Sequence, residues 1–389
     1  MVENLPSPFD RRVWQEATTL ENHGYEVAIV CPTGRGYDER YEYLEGVHIY
    51  RYKLPFEADG LLGYVGEYGF ALVAQIALTL KVAFRHGFDV IHACNPPDTI
   101  FLIGLVAKLF GKRFLYDHHD LCPELYLAKF ERPGVIYRLM LLLERLTFWT
   151  ANVSIATNQS YRKIAIERGR MDPCHVHVVR SGPDLSRVRP VHVVEKLKRG
   201  RDFLVGYVGV MGKQEGIDLL IDAIRYIVFD LGRSDVHFGL VGGGTELDAL
   251  IDYANEQGVS DYVTFTGRVP DLELLQMLST ADVCVNPDRA NEMNDKSTMN
   301  KIMEYMALEK PIVQFDLTEG RFSAQGASLY AEPNDPRDLA AKILELLADP
   351  ERRAKMGAIG KQRVEGELSW GHEVPKLLAA YADLFEGLA

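Results

Sequence analysis

The sequence predicts an α/β protein built as two doubly wound, parallel-sheet domains. Short Val-, Ile- and Leu-rich runs alternate with longer amphipathic stretches along the chain, as parallel strands joined by helical crossovers do. The alternation restarts after a polar, basic run at residues 186–202, the natural linker. A chain of 389 residues also exceeds one ordinary core.

In the first half the periodicity predicts helix 12–23, strand 26–31, strand 47–50, helix 68–85, strand 90–93 and helix 99–110. Strand 113–117, helix 134–151, strand 153–156, helix 158–168 and strand 176–179 follow. The second half reads strand 204–208, helix 217–228, strand 236–241, helix 246–257, strand 263–266, helix 272–280 and strand 283–285. Helix 299–307, strand 312–315 and helices 336–348, 350–365 and 371–387 complete it. The domains expected are 1–189 and 190–370, with 371–389 as a terminal helix. In that helix Val374, Leu377, Leu378, Tyr381, Leu384 and Phe385 form a broad apolar face. Only Met1-Val2 precedes the first loop, where such a domain opens with a full strand. The reading is a strand stub or a chain that starts downstream of the true beginning, with the second preferred.

Composition sets limits. Hydrophobic residues at 47% with 25% charged residues are those of a globular protein. The five cysteines are scattered with no Cys-x-x-Cys pair, which argues against a zinc site or disulfide framework and for a reducing compartment. Residues 1–190 hold 22 Lys+Arg and 22 Asp+Glu, so the whole net charge of -12 lies in the second half. No basic block suits nucleic acid. The apolar stretch 61–84 contains Glu67, Gln75 and Lys81 and reads as an amphipathic or buried helix rather than a membrane span.

Several motifs fall at strand ends, where open α/β sheets bind ligands. Tyr116-Asp117-His118-His119-Asp120 follows one strand; a histidine there can bond a hydroxyl or move a proton near neutral pH, and Asp117 could orient His119, or the polar cluster caps the following turn. His92 ends another strand and reads equally as a packed core histidine. Asp10 is placed to cap the first helix, and Arg11 or Arg12 could meet phosphate or an anionic acceptor, or lie in solvent. Gly209-Val210-Met211-Gly212-Lys213 and Gly242-Gly243-Gly244 are glycine corners between strand and helix, able to present backbone N–H groups to a phosphate. Asn300-Lys301-Ile302-Met303-Glu304-Tyr305-Met306-Ala307 is a helix carrying Lys301 and Glu304 three apart. A lysine there can meet phosphate, and a carboxylate can accept two sugar hydroxyls.

In this order the motifs resemble those of glycosyltransferase family 4, retaining nucleotide-sugar-dependent transferases of the GT-B fold. The resemblance covers nearly the whole chain: the Glu-Tyr-Met-Ala signature at 304–307, the Asp-x-His-Asp run, both glycine corners and Phe265-Thr266-Gly267-Arg268-Val269-Pro270. The Asp-Arg-Arg of the first loop is shared with a branch that resembles bacterial surface-polysaccharide transferases.

The resemblance implies two Rossmann-like domains facing across a cleft, with the last helix crossing back onto the first. It makes 1–189 the acceptor-binding domain and 190–370 the nucleotide-sugar domain. Catalytic roles fall to His119, Asp117 and Lys301. Donor binding falls to Glu304 (ribose), Lys213, Gly209, Gly212, Gly243 and Arg268. It implies no metal and no cofactor beyond the donor substrate, an acceptor such as a lipid-linked glycan, a cytoplasmic protein, and peripheral contact of the first domain with the inner membrane face. The chain departs from the pattern at Val210 and Glu215, where relatives carry cations that clamp the diphosphate, and at Lys296, where a first glutamate would fall, with Asp295 one place off. These departures favour Lys213 or Lys301 as the phosphate ligand, or a non-catalytic scaffold. A GT-B sugar-nucleotide epimerase is a further alternative. Arg180-Ser181-Gly182-Pro183-Asp184 resembles the domain junction, with Gly182 allowing its turn.

Overall fold

The computed structural model describes residues 1–3, 5–54, 60–130 and 133–386. Asn4 and Gly387, which the sequence reading included in the first loop and the last helix, lie outside them. The chain forms two compact units. Unit 1 is Met1–Ser181 with Glu373–Ala389, and unit 2 is Gly182–His372.

Unit 1 contains strands β1 (Ala28–Pro32), β2 (Tyr41–Leu44), β3 (Val47–Tyr52), β4 (Val90–Cys94), β5 (Arg113–His118), β6 (Val153–Ala156) and β7 (Val176–Val178). Its helices are α1 (Arg11–Asn22), α2 (Gly60–Arg85), α3 (Phe101–Leu109), α4 (Cys122–Phe130), α5 (Val135–Thr150) and α6 (Gln159–Glu167). The strands run in the orders β2-β3-β1 and β4-β5-β6-β7, all parallel except β2 against β3. Met1 and Val2 join the two sheets: Val2 N donates to Val30 O (3.0 Å) and Cys94 N to Met1 O (2.9 Å). Beyond them the facing edges of β1 and β4 border a cavity of about 480 Å³.

The core of unit 1 follows from its apolar runs. Ile91, Phe114, Tyr116 and Ala156 of β4 to β6 close on Phe101 and Ile103 of α3 and Phe148 of α5, and Leu72 of α2 packs on the same cluster. Asp10 caps α1, its Oδ1 accepting from Val13 N at 3.2 Å, as its position before a helical run requires.

Unit 2 has one six-stranded parallel sheet in the order β10-β9-β8-β11-β12-β13. Its strands are β8 (Phe203–Val208), β9 (Val236–Val241), β10 (Val263–Phe265), β11 (Val283–Asn286), β12 (Ile312–Phe315) and β13 (Ser328–Ala331). Around it lie α7 (Ile217–Arg225), α8 (Leu247–Glu256), α9 (Asp271–Thr280), α10 (Glu292–Lys296), α11 (Asn300–Ala307), α12 (Thr318–Ala324), α13 (Pro336–Leu347) and α14 (Pro350–Arg363). β8 and β11 share only a short register, and the Tyr305 hydroxyl of α11 extends their join. It accepts from Val208 N (2.9 Å) and donates to Val285 O (3.2 Å).

The last helix, α15 (Trp370–Phe385), starts in unit 2 and belongs to unit 1 from Glu373 onward. Glu373 Oε2 accepts from Arg180 N (2.9 Å), Tyr381 stacks edge-on with Tyr25, and Asp383 meets His175 and His177. The crossing helix that the resemblance implies is therefore present.

Some expectations are corrected. Helix 68–85 begins at Gly60, and its most apolar 18-residue window is only 17% buried, so it is amphipathic and not a core helix. Gly182 serves close approach and not a left-handed turn, since a Cβ there would lie 2.4 Å from Leu368 O. Strands β2 and β13 and helices α4, α10 and α12 were absent from the periodicity because each is short or half-exposed.

Candidate functional site

Each unit gathers sequence-predicted residues at the carboxyl ends of its strands. In unit 1, β5 delivers Asp117 and the loop after it delivers His119. Asn95, 3% exposed, pins that loop: its Oδ1 accepts from His119 N (2.7 Å) and Asp120 N (3.1 Å). Arg12, on the first turn of α1, enters the same space. Its Nη2 lies 3.0 Å from both Asp117 Oδ1 and Glu16 Oε1, and its Nη1 donates to Val179 O (2.9 Å) and Ser181 Oγ (3.1 Å). Arg12 is thus a buried structural cation and not a free anion ligand, which corrects that option for it. Arg11, beside it, is exposed.

His119 Nε2 is 2.6 Å from Asp117 Oδ2 and 2.8 Å from Arg12 Nε. One ring nitrogen cannot both give a proton to the carboxylate and accept one from the guanidinium. The shorter contact assigns the proton to His119, and Arg12 Nε–H then turns to Asp117 Oδ2 at 3.3 Å. Burial disfavours the charged imidazole, but Asp117 outweighs it and holds His119 well above the usual histidine range. Burial likewise works against the Asp117 carboxylate, and Arg12 and His119 pull it well below its ordinary value.

His92 joins this cluster, a role its sequence context left undecided. Its Nε2 lies 3.4 Å from Asp117 Oδ2 and its Nδ1 is 3.0 Å from the Tyr381 hydroxyl of α15. Burial raises the Cys94 thiol, but His119 and His92 overcome it and draw it down to about 6. Glu16 moves the other way, pushed up to about 8 mainly by burial. His92, Cys94 and Asp117, and likewise Glu16, Asp117 and His119, are close enough to share a metal ion, but Arg12 already stands among the carboxylates. Neighbouring His118 is fully buried, with neither ring nitrogen hydrogen-bonded among the described residues, and burial lowers it to about 3; it is a neutral core residue.

In unit 2 the two glycine corners pack backbone against backbone. Gly209 N donates to Val241 O (3.0 Å) and Met211 N to Gly243 O (3.1 Å). Gly242 sits at φ 139°, and a Cβ on it would lie 1.8 Å from Gly209 O, so only glycine fits. Lys301 Nζ lies beside the first corner, 3.3 Å from where a Cβ on Gly209 would stand. Gly212 and Gly243 complete the corners, and exposed Arg268 packs its stem near Gly243. Glu304 is half-buried one turn after Lys301.

Lys301 is not poised as a free cation. Its Nζ donates to Glu215 Oε2 (2.6 Å) and Asp288 Oδ1 (2.9 Å) and rides over the Tyr207 ring, 4.9 Å from its centroid. Burial opposes its charge, but Asp288 and Glu215 hold it well above the usual lysine range. Burial pushes Asp288 up to about 7, while Lys301 keeps Glu215 below its ordinary value against its own burial. Asp288 Oδ2 is buried without a partner among the described residues. Lys213, the alternative to Lys301 as phosphate ligand, is exposed and makes no ion pair among the described residues.

Sequence reasoning missed Asp288 and Tyr207. Asp288 directly follows β11, so its position at a strand end was the available signal. Asp295, the near match to the missing first glutamate, instead accepts from Thr318 N (2.8 Å) and Thr318 Oγ1 (3.0 Å) and anchors the start of α12.

The chain matches the glycosyl transferase 4-like domain over residues 10–182 and the glycosyl transferases group 1 family over residues 202–349. It is 29% identical over 180 residues to an uncharacterized glycosyltransferase of Methanocaldococcus jannaschii, 46% of this chain and 47% of that protein, so the match spans about half of that relative's length. It is 25% identical over 304 residues to alpha-maltose-1-phosphate synthase of Mycolicibacterium smegmatis, covering 71% of this chain and 74% of that one. Among solved structures, Anabaena HepE in complex with UDP-glucose superposes with a TM-score of 0.73 at 16% identity, over 97% of each chain. The two family matches divide as the two units do and take in most of the sequence, and the chain belongs to the GT-B glycosyltransferases.

Proposed function

We propose that the protein transfers a sugar from a nucleotide-diphosphate sugar to an acceptor hydroxyl with retention of anomeric configuration. The observation that carries this is the meeting, at the strand ends of unit 2, of both glycine corners with the helix bearing Lys301 and Glu304. The UDP-glucose held by the fold neighbour from Anabaena supports the donor class.

On this reading unit 2 binds the donor and unit 1 the acceptor. Glu304 accepts the ribose hydroxyls. Backbone N–H groups of Gly209 to Gly212 and Gly243, with Lys213, Arg268 and Lys301, meet the diphosphate and stabilise the charge that grows on it as the glycosidic bond breaks. The acceptor hydroxyl attacks the anomeric carbon from the face the diphosphate leaves, and the leaving phosphate oxygen takes its proton. His119, oriented by Asp117, bonds a sugar hydroxyl near the reacting carbon. The cations and N–H groups do this work without a resident metal. The acceptor class is a lipid-linked glycan, and the protein acts in the cytoplasm at the inner face of the membrane.

A second reading is a non-catalytic nucleotide-sugar-binding protein. The specific observation in its favour is that Glu215 and Asp288 neutralise Lys301. Calorimetric titration with UDP, GDP and ADP, followed by hydrolysis of the matching nucleotide sugars, separates the two. Binding with turnover supports the transferase; binding without turnover in the presence of lipid-linked acceptors supports the scaffold; no nucleotide binding overturns both.

A further inference from the structure

We propose that Glu26, His48 and His86 in unit 1 form a zinc site. Glu26 precedes β1, His48 is the second residue of β3, and His86 follows α2 on the way to β4. All three stand toward the amino ends of these strands, whereas Asp117 and His119 stand at and beyond the carboxyl end of β5. The zinc therefore takes no part in sugar transfer.

Tertiary pairing brings the three residues together. β1 and β3 run parallel with Ala28 opposite His48, and His48 N donates to Val27 O (3.0 Å), which brings Glu26 beside the start of β3. His48 and Tyr50, two apart on β3, share one face of the strand. The turn after α2 delivers His86 to that face. Its Nε2 lies 2.8 Å from the Tyr50 hydroxyl, and its ring centroid is 4.3 Å from that of His48. One nitrogen of each histidine and one Glu26 oxygen all lie within 4.8 Å of one another. His86 Nδ1 and Glu26 Oε1 are 3.0 Å apart, close to the edge of about 3.3 Å between neighbouring ligands of a tetrahedral zinc ion. The Glu26 side chain is 65% exposed and can swing the short distance that closure needs.

Each imidazole has one nitrogen held by a tyrosine. Tyr50 holds His86 Nε2, and the Tyr41 hydroxyl lies 3.0 Å from His48 Nδ1, with Tyr41 set opposite Tyr50 by the β2–β3 register. Partners of this kind orient metal-binding histidines and fix which nitrogen carries the proton. With its proton on Nε2, His86 turns the Nδ1 lone pair onto Glu26 Oε1, and two acceptors at that distance need a proton or a metal ion between them. Burial, and after it His86, lowers His48 from its ordinary value, which favours the neutral imidazole that a metal requires. Donor type selects the ion. Lys81 Nζ lies 5.4 Å from the Tyr50 ring centroid, so a hard cation held mainly by charge gains little. Two imidazoles and a carboxylate suit zinc, whereas magnesium and calcium take oxygen donors. The fourth position is left to water, and the ion ties β1, β3 and the end of α2 at one corner.

The test is calorimetric titration of the metal-free full chain with zinc, magnesium and calcium chloride, with the melting temperature followed in parallel. The expected result is a single zinc per chain at micromolar or tighter affinity, a higher melting temperature with zinc, and no binding of magnesium or calcium. Glu26→Gln and His48→Ala should each weaken zinc binding by roughly 10-fold or more, and Tyr50→Phe, which removes only the hydroxyl behind His86, by about 10-fold. Glu26 is exposed, so Glu26→Gln should keep the metal-free melting temperature and lose the rise that zinc produces. His175 and His177, which share Asp383, are the competing histidine pair, and His175→Ala/His177→Ala should bind zinc as the wild type does. Saturation that needs millimolar zinc, or Glu26→Gln and His48→Ala variants that bind as well as the wild type, overturns the proposal. So does zinc binding lost in His175→Ala/His177→Ala and kept in Glu26→Gln. Nucleotide affinity should be the same with and without zinc; a dependence on zinc would place the ion at the donor site and overturn the separate location.

Discussion

Arg12 in unit 1 and Lys301 in unit 2 each stand buried between two carboxylates, but they differ in what else they hold. Arg12 spreads its rigid fork over Asp117, Glu16, Val179 O and Ser181 Oγ, and so ties α1, β5 and the end of β7 together. Lys301 reaches its partners through a flexible stem and meets Glu215, Asp288 and Tyr207 beside an open glycine corner. A guanidinium in that setting is a fixed frame. An ammonium there can exchange one carboxylate for a phosphate oxygen by a small rotation. The frame should therefore fail through stability and the second cluster through ligand affinity.

The largest effect tests the frame. Arg12→Met leaves Asp117 and Glu16 buried without their cation, and removing one partner of such a group costs about 3–5 kcal/mol. Urea unfolding of the variant should show that loss, and Arg12→Met/Asp117→Asn should recover part of it. A loss below about 1 kcal/mol would mean the cluster is solvated and the contrast is false.

His119 should break the symmetry in the other direction. His119→Ala is expected to reduce turnover by roughly 100-fold with donor affinity nearly unchanged. Because Nε2 is engaged by Asp117, Asp117→Asn should lower turnover as well, through orientation. Near-normal turnover in the His119 variant would leave the unit 1 cluster as frame alone.

Ligand affinity tests unit 2. Glu304→Ala should weaken nucleotide binding by about 1.5–3 kcal/mol, the range for a hydrogen bond to a charged group. Lys301→Ala and Lys213→Ala should each weaken nucleoside diphosphate binding more than nucleoside binding. Glu215→Gln should do the reverse, tightening the diphosphate by on the order of 1 kcal/mol, because it releases Lys301 from one of its two anions. If Glu215→Gln changes nothing, Lys301 is not the phosphate ligand and Lys213 carries that role.

The contrast also marks where the sequence was readable. The parallel strands were legible because each is a near-continuous apolar run, and the glycine corners because backbone packed on backbone tolerates no Cβ, as at Gly242. Asp117 and His119 were legible as a polar cluster after such a run. The burial of Arg12 was not, since its pairing with Asp117 spans 105 positions and leaves no local period. The same holds for Glu215 and Asp288, which meet Lys301 across 86 and 13 positions. Sequence spacing set Lys301 beside Glu304 on one helix face, and tertiary contacts with two other loops decided its charge state instead.

A titration, read as a slope with pH and not as a loss at one pH, sharpens the comparison further. In each cluster one carboxylate is held ionised, Asp117 or Glu215, and burial raises the other, Glu16 to about 8 and Asp288 to about 7. Both raised values lie above those of the unfolded chain, about 4. The native state therefore keeps protons that the unfolded state has already lost. The stability these protons contribute is fully present below about pH 4, falls as pH rises, and is gone once pH passes the folded value. Each group should contribute a loss of up to about 1.4 kcal/mol per pH unit across that window. Glu16→Gln and Asp288→Asn stay neutral at every pH, so each should flatten the slope measured by urea unfolding between about pH 5 and pH 8. If neither variant changes the slope, both pairs of carboxylates are ionised together and each buried cation carries a full double negative charge.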